Sequence, residues 1–315
     1  MKISNLVTRT VLGATLACFL ITGCKKEETP APTPANPTTP DPGGQQTQRA
    51  SDQSNVENES NQAMDEANSA LQEVSTTREM MACGMTIDST YKNIGKLILN
   101  YSGPDCSGTK TRSGSITVQL PYSGGQITTW STPGATATLT FNDYKVTYIS
   151  TNKSLKFNGT HSVKNVNGGG WLQLLLGTPI VHKVRANMQI SFDDSTSCSW
   201  QFAKVRTYHY MSGQLKASIA GDTVINTYNH IAMWGVNRLG ENFKVDVPTP
   251  VAYYLAGNTC LYKPTGEIVL YSDTNHLTIT YGVDASGNVV TGCPYGYKYS
   301  WMDMQNNPQQ LVIAY

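Results

Sequence analysis

Apolar and polar side chains alternate with a period of two through most of the chain from Gly84 onward. This alternation places successive side chains on opposite faces of a β-strand. Turn pairs such as Asn158-Gly159 and Asn167-Gly168 separate the alternating segments. Since no helical period lies between these segments, the sequence predicts an antiparallel all-β body, either a β-sandwich or a large twisted antiparallel sheet. The clearest apolar sets are Ile116, Val118 and Leu120; Ala137, Leu139 and Phe141; Met188, Ile190 and Phe192; Phe243, Val245 and Val247; Leu277, Ile279 and Tyr281; Leu311, Ile313 and Tyr315.

Residues 50–82 have a helical period instead, and they predict one short amphipathic α-helix before the β-body. Ser60 is its predicted N-cap. The apolar face is narrow and rich in alanine, which favours a helix that lies on its own β-domain over a helix that binds a partner. Its apolar positions are Ala63, Met64, Ala67, Ala70, Leu71 and Val74, opposite Asp65, Glu66, Asn68 and Glu73.

Seven cysteines occur in the chain, and five of them lie at or beyond residue 83. An exported protein meets an oxidising environment, in which cysteines pair as disulfides. Sequence proximity favours the pairs Cys83–Cys106 and Cys260–Cys293, and it leaves Cys198 unpaired. No CxxC or histidine-rich spacing accompanies these cysteines, so a metal site is the weaker interpretation.

The β-body is predicted to comprise residues 83–315 as a disulfide-tied domain. A weak internal repeat leaves open a division into two subdomains near residue 213. In this repeat Cys106 precedes a Gly-x-Ile-x-Val stretch at Gly114, and Cys260 precedes a similar stretch at Gly266.

Residues 1–23 have the parts of a secretory signal peptide: a basic start, an apolar run from Val11 to Ile21, and small residues before a break. The apolar run is too short to span a bilayer, which needs about 20 residues. The stretch Ile21-Thr22-Gly23-Cys24 resembles the lipobox of bacterial lipoproteins, and the resemblance implies an acyl anchor on Cys24. Residues 24–49 are then the lipidated N-terminus and a Pro/Thr-rich linker, which is expected to be disordered because it has little apolar mass.

The charged stretch Lys25-Lys26-Glu27-Glu28 resembles the export signal that follows the lipidated cysteine in surface-exposed lipoproteins of Bacteroidota. This resemblance implies a lipid-anchored protein on the outer surface of the outer membrane. The periplasmic face of that membrane is the alternative.

Several stretches of the β-body are similar to ones that recur in a family of uncharacterised surface lipoproteins of Bacteroidota. The similarity covers most of residues 84–293, whereas residues 168–182 and Cys198 depart from the family's pattern. The resemblance implies an exported, lipid-anchored β-protein, and it implies no particular activity. The similar stretches are Thr111-Arg112-Ser113-Gly114 leading to Val118, Leu139-Thr140-Phe141-Asn142-Asp143-Tyr144, Asn158-Gly159-Thr160, and Cys260 followed by Gly266.

The sequence contains no HExxH, GxSxG, P-loop or EF-hand motif, so it predicts no catalytic residue, metal site or cofactor. Residues 84–315 hold 12 acidic and 17 basic side chains without a basic cluster, which gives nucleic-acid binding little support. A glycosidase needs two carboxylates facing each other about 5–10 Å apart. The adjacent pair Asp193-Asp194 is more typical of a turn.

Trp130 and Trp171 are the candidate ligand-binding residues, because glycines precede both and predict loops. The apolar run from Trp171 to Leu176 is itself predicted to be a buried strand or a surface loop. Aromatic rings on β-domains bind sugar faces, and they also fill sheet cores. The sequence therefore favours a non-enzymatic binding protein with a glycan or another surface ligand. The alternatives are an envelope assembly component that docks through the helix, and a hydrolase without a recognisable motif.

Replacing Cys24 by serine removes the sulfur that the predicted lipid anchor requires. We expect the Cys24→Ser protein to move from the membrane fraction to the soluble fraction, because several acyl chains together hold a protein on a bilayer. Detergent phase partitioning measures this shift, and Cys198→Ser is the matched control. Unchanged partitioning of Cys24→Ser would refute the anchor.

Overall fold

A computed structural model describes residues 42–73, 83–273, 276–303 and 305–315. The predicted signal peptide, Cys24 and the linker up to residue 41 lie outside these residues, as do residues 74–82 of the predicted helix region. Within the described ranges, no helix combines the length and the apolar character that crossing a membrane requires.

The described residues form two α-helices, seventeen strands and one 3₁₀ turn at Lys92–Ile94. The helices are α1 (Pro42–Glu73) and α2 (Trp171–Leu175). The strands are β1 (Met85–Asp88), β2 (Lys96–Pro104), β3 (Lys110–Gln119), β4 (Tyr122–Ser123), β5 (Gln126–Ile127), β6 (Thr136–Tyr148), β7 (Ser154–Asn165), β8 (Ile180–Phe192), β9 (Ser197–Met211), β10 (Gln214–Gly221), β11 (Thr223–Ile225), β12 (Tyr228–Val236), β13 (Asn242–Ala256), β14 (Thr265–Ser272), β15 (His276–Val283), β16 (Gly296–Met302) and β17 (Pro308–Ala314).

Fifteen of these strands form one antiparallel sheet, and β4 pairs with β5 separately. The main path of the sheet is β1-β2-β3-β6-β7-β8-β9-β10-β13-β14-β15-β16-β17, and β12 pairs with β9, β11 and β13 beside it. This confirms the predicted all-β class, in its form as a large antiparallel sheet. Residue 213, where a division was considered, lies in the turn between the paired strands β9 and β10. The predicted turn at Asn158-Gly159 is wrong, because both residues lie inside β7 and pair with β8.

The period-two pattern of the sequence directs one face of the sheet toward the interior. In β8, every even-numbered residue from Ile180 to Phe192 is buried. Ala186 pairs with His161 on β7 and with Phe202 on β9, so the same face continues across neighbouring strands. Burial of apolar surface along this face is the main stabilising contribution, at roughly 25 cal/mol per Å².

The helix α1 lies against this interior face. It begins at Pro42, within the residues predicted as linker, and the predicted N-cap Ser60 is a buried residue inside it. Proline suits the first helical position, because the N–H that it lacks has no helical partner there. From Asp52 to Leu71, each helix side chain whose exposure the structure describes is buried or half-buried. The helix therefore lies on its own β-domain, in agreement with the prediction.

The sheet curls around α1, because the helix contacts strands that are far apart in the strand order. Glu66 accepts hydrogen bonds from Tyr101 on β2 and Arg112 on β3, whereas Glu57 pairs with Lys204 on β9. Buried aromatic and aliphatic side chains fill the space between helix and sheet in one continuous cluster.

Charge complementarity joins α1 to the sheet. The helix carries six acidic side chains and one arginine, and three of the four arginines beyond residue 83 face it. Arg238 donates two hydrogen bonds of 2.7 and 2.6 Å to Asp52, and Arg112 donates one of 2.6 Å to Glu66. Lys110 lies 2.5 Å from Glu59. Arg206 also donates a hydrogen bond to Asn61 on the helix.

Several of these charges are removed from water. Arg112 is 2% exposed, and Glu59 is fully buried. A buried charge without a partner destabilises a fold by about 3–5 kcal/mol, whereas the intact pair offsets most of its own desolvation. The ion pairs therefore fix the position of α1 on the sheet, because a shift of the helix would leave buried charges without partners.

Two titratable groups between the helix and the sheet, Asp65 on α1 and His161 on β7, have pKa values that burial shifts strongly. Burial raises the pKa of the Asp65 carboxyl to about 7, against the opposing charge of Arg206. Burial, together with the charges of Lys204 and Arg206, lowers the pKa of His161 to about 3. His161 is packed between Phe141 and Phe202 and is neutral at physiological pH.

Both predicted disulfides are confirmed. Cys83–Cys106 joins the start of the β-body to the turn after β2, with Cα atoms 4.8 Å apart. Cys260–Cys293 joins two later loops, with Cα atoms 5.3 Å apart. Cys198 is a free and buried thiol on β9. Burial, followed by the charge of Asp52, raises its pKa to about 12, so the thiol has little nucleophilic character.

The variant Asp65→Asn tests the electrostatics of the helix interface. The pKa of Asp65 is raised in the folded protein, so ionisation of Asp65 lowers the stability of the wild type as pH rises from about 4 to about 7. Asparagine does not titrate. Urea unfolding measures the difference in free energy of unfolding between Asp65→Asn and the wild type. We therefore expect this difference to favour the variant more at pH 8 than at pH 4.

Asp143→Asn is the control with the opposite sign. Hydrogen bonds from Lys156 and Asn158 lower the pKa of Asp143, so its charge supports the fold at neutral pH. Asp143→Asn should lose stability relative to the wild type as pH rises. A loss of the same sign in Asp65→Asn would contradict the raised pKa.

Candidate functional site

Successive connections of the sheet alternate between two rims, because neighbouring strands along the main path run in opposite directions. We call the first the acidic rim; the described residues of its six turns are 105–109, 149–153, 193–196, 237–241, 273, and 303 with 305–307. We call the second the apolar rim; its six connections are residues 89–95, 120–135, 166–179, 212–213, 257–264 and 284–295. The chain from β10 to β12 passes through β11, which pairs with β12 beside the main path of the sheet.

The acidic rim carries most of the loop charge. Its two basic side chains are Lys153 and Arg238, and Arg238 is already paired with Asp52 and Asp194. Most of its aspartates also accept hydrogen bonds from nearby turn residues, as Asp303 does from Asn307. This rim is therefore a hydrated, negatively charged surface. Its six acidic residues are Asp105, Asp193, Asp194, Glu241, Asp273 and Asp303.

The apolar rim is almost free of charge. Its connections contain one acidic residue, Asp284, and two lysines, Lys92 and Lys263. Large apolar side chains are exposed there, whereas Ile149 and Leu239 are the exposed large apolar side chains in the described part of the acidic turns. The exposed apolar set of this rim is Tyr91, Tyr122, Leu172, Leu175, Leu176, Leu261, Val289 and Tyr295. Exposed apolar side chains grouped in this way mark interaction surfaces.

Neighbouring connections of the apolar rim contact one another. Gly168 has a φ of +71°, and a side chain there would meet the backbone nitrogen of Pro133 at 2.6 Å, so two connections meet closely at this glycine. At Gly257, with a φ of +75°, a side chain would meet the carbonyl oxygen of Gly213 at 2.0 Å. The Cys260–Cys293 disulfide links the last two connections. These contacts join the 120–135 connection to the 166–179 connection, and they join the 212–213, 257–264 and 284–295 connections to one another.

The short helix α2 forms the most apolar part of this rim. Its inward residue Leu174 packs with Ile180, Leu215 and other residues of a second buried cluster. Its outward residues include Leu172, which is 66% exposed, and Leu176 at the helix end is 76% exposed. The run from Trp171 to Leu176 was predicted to be a buried strand or a surface loop, and it is instead a surface helix with one buried residue. Regular strand geometry cannot bury Leu174 and expose both of these leucines.

Trp130 and Trp171, the candidate ligand-binding residues, both lie in the apolar rim, and both are half-buried. Trp171 packs against the second buried cluster. The ring of Trp130 lies 5.4 Å from that of His182, and the ring of His182 lies 5.7 Å from that of Tyr208. Each tryptophan therefore supports the rim and offers only part of its ring to a ligand.

Asn165 joins the two tryptophan connections. Its side-chain nitrogen donates hydrogen bonds of 3.1 Å to the carbonyl oxygens of Trp130 and Gly169. Asn165 is fully buried, so both carbonyls depend on it. Burial, and then the charge of Arg206, lowers the pKa of nearby His182 to about 4, so the aromatic row carries no histidine charge at neutral pH.

The structure also places the adjacent acidic pair and the side chains that could bind a metal. Asp193 and Asp194 lie in the tight turn between β8 and β9, as the sequence predicts, and Asp194 accepts hydrogen bonds from Thr196. Among the described residues, no group of three or more histidine, cysteine or acidic side chains could hold a metal ion.

Comparison with known proteins finds no matching family model, no similar curated protein and no similar solved structure.

Sequence reasoning missed the basic residues that hold α1, and it missed the division of charge between the two rims. A signal for the first was present, because residues 1–83 are acidic and residues 84–315 have a net charge of +5. The division of charge can be predicted only when the direction of every strand is known, because that direction decides to which rim each loop belongs.

Asn165→Ala should loosen the apolar rim, because the carbonyls of Trp130 and Gly169 would lose the hydrogen bonds that the Asn165 side chain donates. We expect a loss of about 1–3 kcal/mol in the free energy of unfolding. Hydrogen exchange should increase first around residues 130–135 and 167–170. The matched control is Asn167→Ala, an exposed residue whose side chain donates one hydrogen bond to Pro179. Equal effects of the two variants would contradict this role for Asn165.

Proposed function

We propose that this chain is a lipid-anchored outer-membrane protein at the cell surface, and that it binds a surface ligand without catalysing a reaction. The apolar rim is its binding surface. The observation that carries this proposal is the separation of loop character, with exposed leucines and tyrosines on one rim and aspartates on the other. The lipobox-like stretch at Cys24 and its similarity to surface lipoproteins support the location.

The placement of the candidate tryptophans supports the same rim. Trp130 and Trp171 lie in adjacent connections that Asn165 and Gly168 hold together. Half-buried rings on a rigid support lose little conformational entropy when a ligand contacts their exposed edges. A glycan is the first ligand class to test, because sugar faces pack on such rings.

A second candidate function is assembly of the cell envelope through the same rim. The exposed leucines of α2 favour it, since leucine side chains suit an apolar protein surface better than a sugar. The predicted docking element for this role, residues 60–75, is a poorer choice. The described part of that segment is enclosed by the sheet, so its apolar face is already covered.

A broad glycan array tests the leading function. The protein is the chain from residue 25 to Tyr315, which includes every described residue. We expect binding to a defined set of glycans that falls about tenfold or more in Trp171→Ala, which corresponds to about 1.4 kcal/mol. The control is Trp301→Ala, because Trp301 lies on β16 and outside the connections of the apolar rim.

Three outcomes are distinct. Glycan binding that Trp171→Ala lowers and Trp301→Ala preserves supports a carbohydrate-binding rim. Glycan binding that neither Trp130→Ala nor Trp171→Ala changes contradicts the rim as the binding surface. Binding to no glycan excludes that ligand class and makes assembly through the rim the leading function.

A further inference from the structure

We propose that the apolar rim inserts into the surface of a phospholipid bilayer, so that the β-body has a membrane contact of its own in addition to the predicted acyl anchor. This inference rests on the proposed function, because it names the partner of the same rim.

The first argument is the chemistry of the rim. The side chains that bind at a membrane interface are leucine, which enters the acyl boundary, and tyrosine and tryptophan, which lie at the headgroup level. The apolar rim exposes leucines at 172, 175 and 176, and tyrosines at 91, 122 and 295. Its single acidic residue, Asp284, accepts hydrogen bonds from the backbone of Ser286 and Asn288.

The second argument is the direction of the electric field. The acidic rim has six acidic and two basic side chains, whereas the apolar rim has one acidic and two basic ones. An anionic bilayer therefore repels the acidic rim and weakly attracts Lys92 and Lys263. Charge and apolar surface thus select the same orientation, with the acidic rim directed away from the lipid.

The third argument is the rigidity of the inserting element. Leu174 anchors α2 in the second buried cluster, and Asn165 donates a hydrogen bond to Gly169 just before the helix. The outward leucines are therefore presented without a large ordering cost.

Vesicle co-sedimentation tests the proposal without the acyl anchor. The protein is the chain from residue 25 to Tyr315, and the vesicles contain phosphatidylethanolamine and phosphatidylglycerol. We expect the wild type to sediment with the vesicles. We expect the double variant Leu172→Asp, Leu176→Asp to bind at least about tenfold more weakly, because it places two charges where leucines enter the lipid.

The matched control places the same charges on the acidic rim. Ile149 and Leu239 are each 53% exposed, so Ile149→Asp, Leu239→Asp changes the same chemistry at the other end of the sheet. This control should bind vesicles like the wild type. An equal loss in both double variants would overturn the proposal, and so would a wild type that does not bind.

A second measurement avoids charged substitutions. Vesicles with brominated acyl chains quench tryptophans that reach the lipid, and Trp171 is the tryptophan at the start of α2. Quenching should occur in the wild type and decrease in Trp171→Phe. Unchanged quenching in that variant would contradict insertion at α2. A rim that binds a glycan or a protein but no vesicle would overturn this inference and leave the proposed function in place.

Discussion

Pairing of buried charges decides how this chain is arranged. An acidic helix lies inside a curled sheet, where Glu59 and Arg112 are almost completely removed from water. Such charges are tolerated only with partners, so the helix and the basic strands determine each other's position. The small residues of the helix, such as Ala63 and Ala67, allow the sheet to approach it closely. The helix therefore belongs to the core of the domain, although its sequence is largely polar.

The sheet around that core gives the molecule its two unlike rims. Interior packing constrains alternate residues of each strand, whereas the connections are free to differ between the rims. Aspartates in the acidic turns accept hydrogen bonds from residues of the same turn, as Asp303 does from Asn307, and these turns remain hydrated. At the other rim, the connections of Leu174 and Tyr262 pack on a second buried cluster, and the rim carries apolar side chains outward. The functional proposals depend on this contrast.

Much of the fold could be predicted from the sequence, because its signals are local. Alternation in β8 predicts its buried face, and cysteine proximity predicts Cys83–Cys106 and Cys260–Cys293. The helix start could not be predicted from the local pattern, since contacts with the distant Arg238 and Lys204 hold the helix. The two candidate tryptophans lie in adjacent connections, yet the exposed leucines beside Trp171 depend on how α2 packs.

The position of α1 also has a mechanical consequence. The segment before Pro42 leads directly into the helix, and among the helix side chains that the structure describes, Asp52 is held near the helix start by two hydrogen bonds from Arg238. The next pair along the helix, Glu57 with Lys204, bears load only after the first has yielded. Tension would thus break the contacts between α1 and the sheet one after another, starting from the N-terminal side. The domain should extend gradually under a low force from that side, while its sheet stays paired.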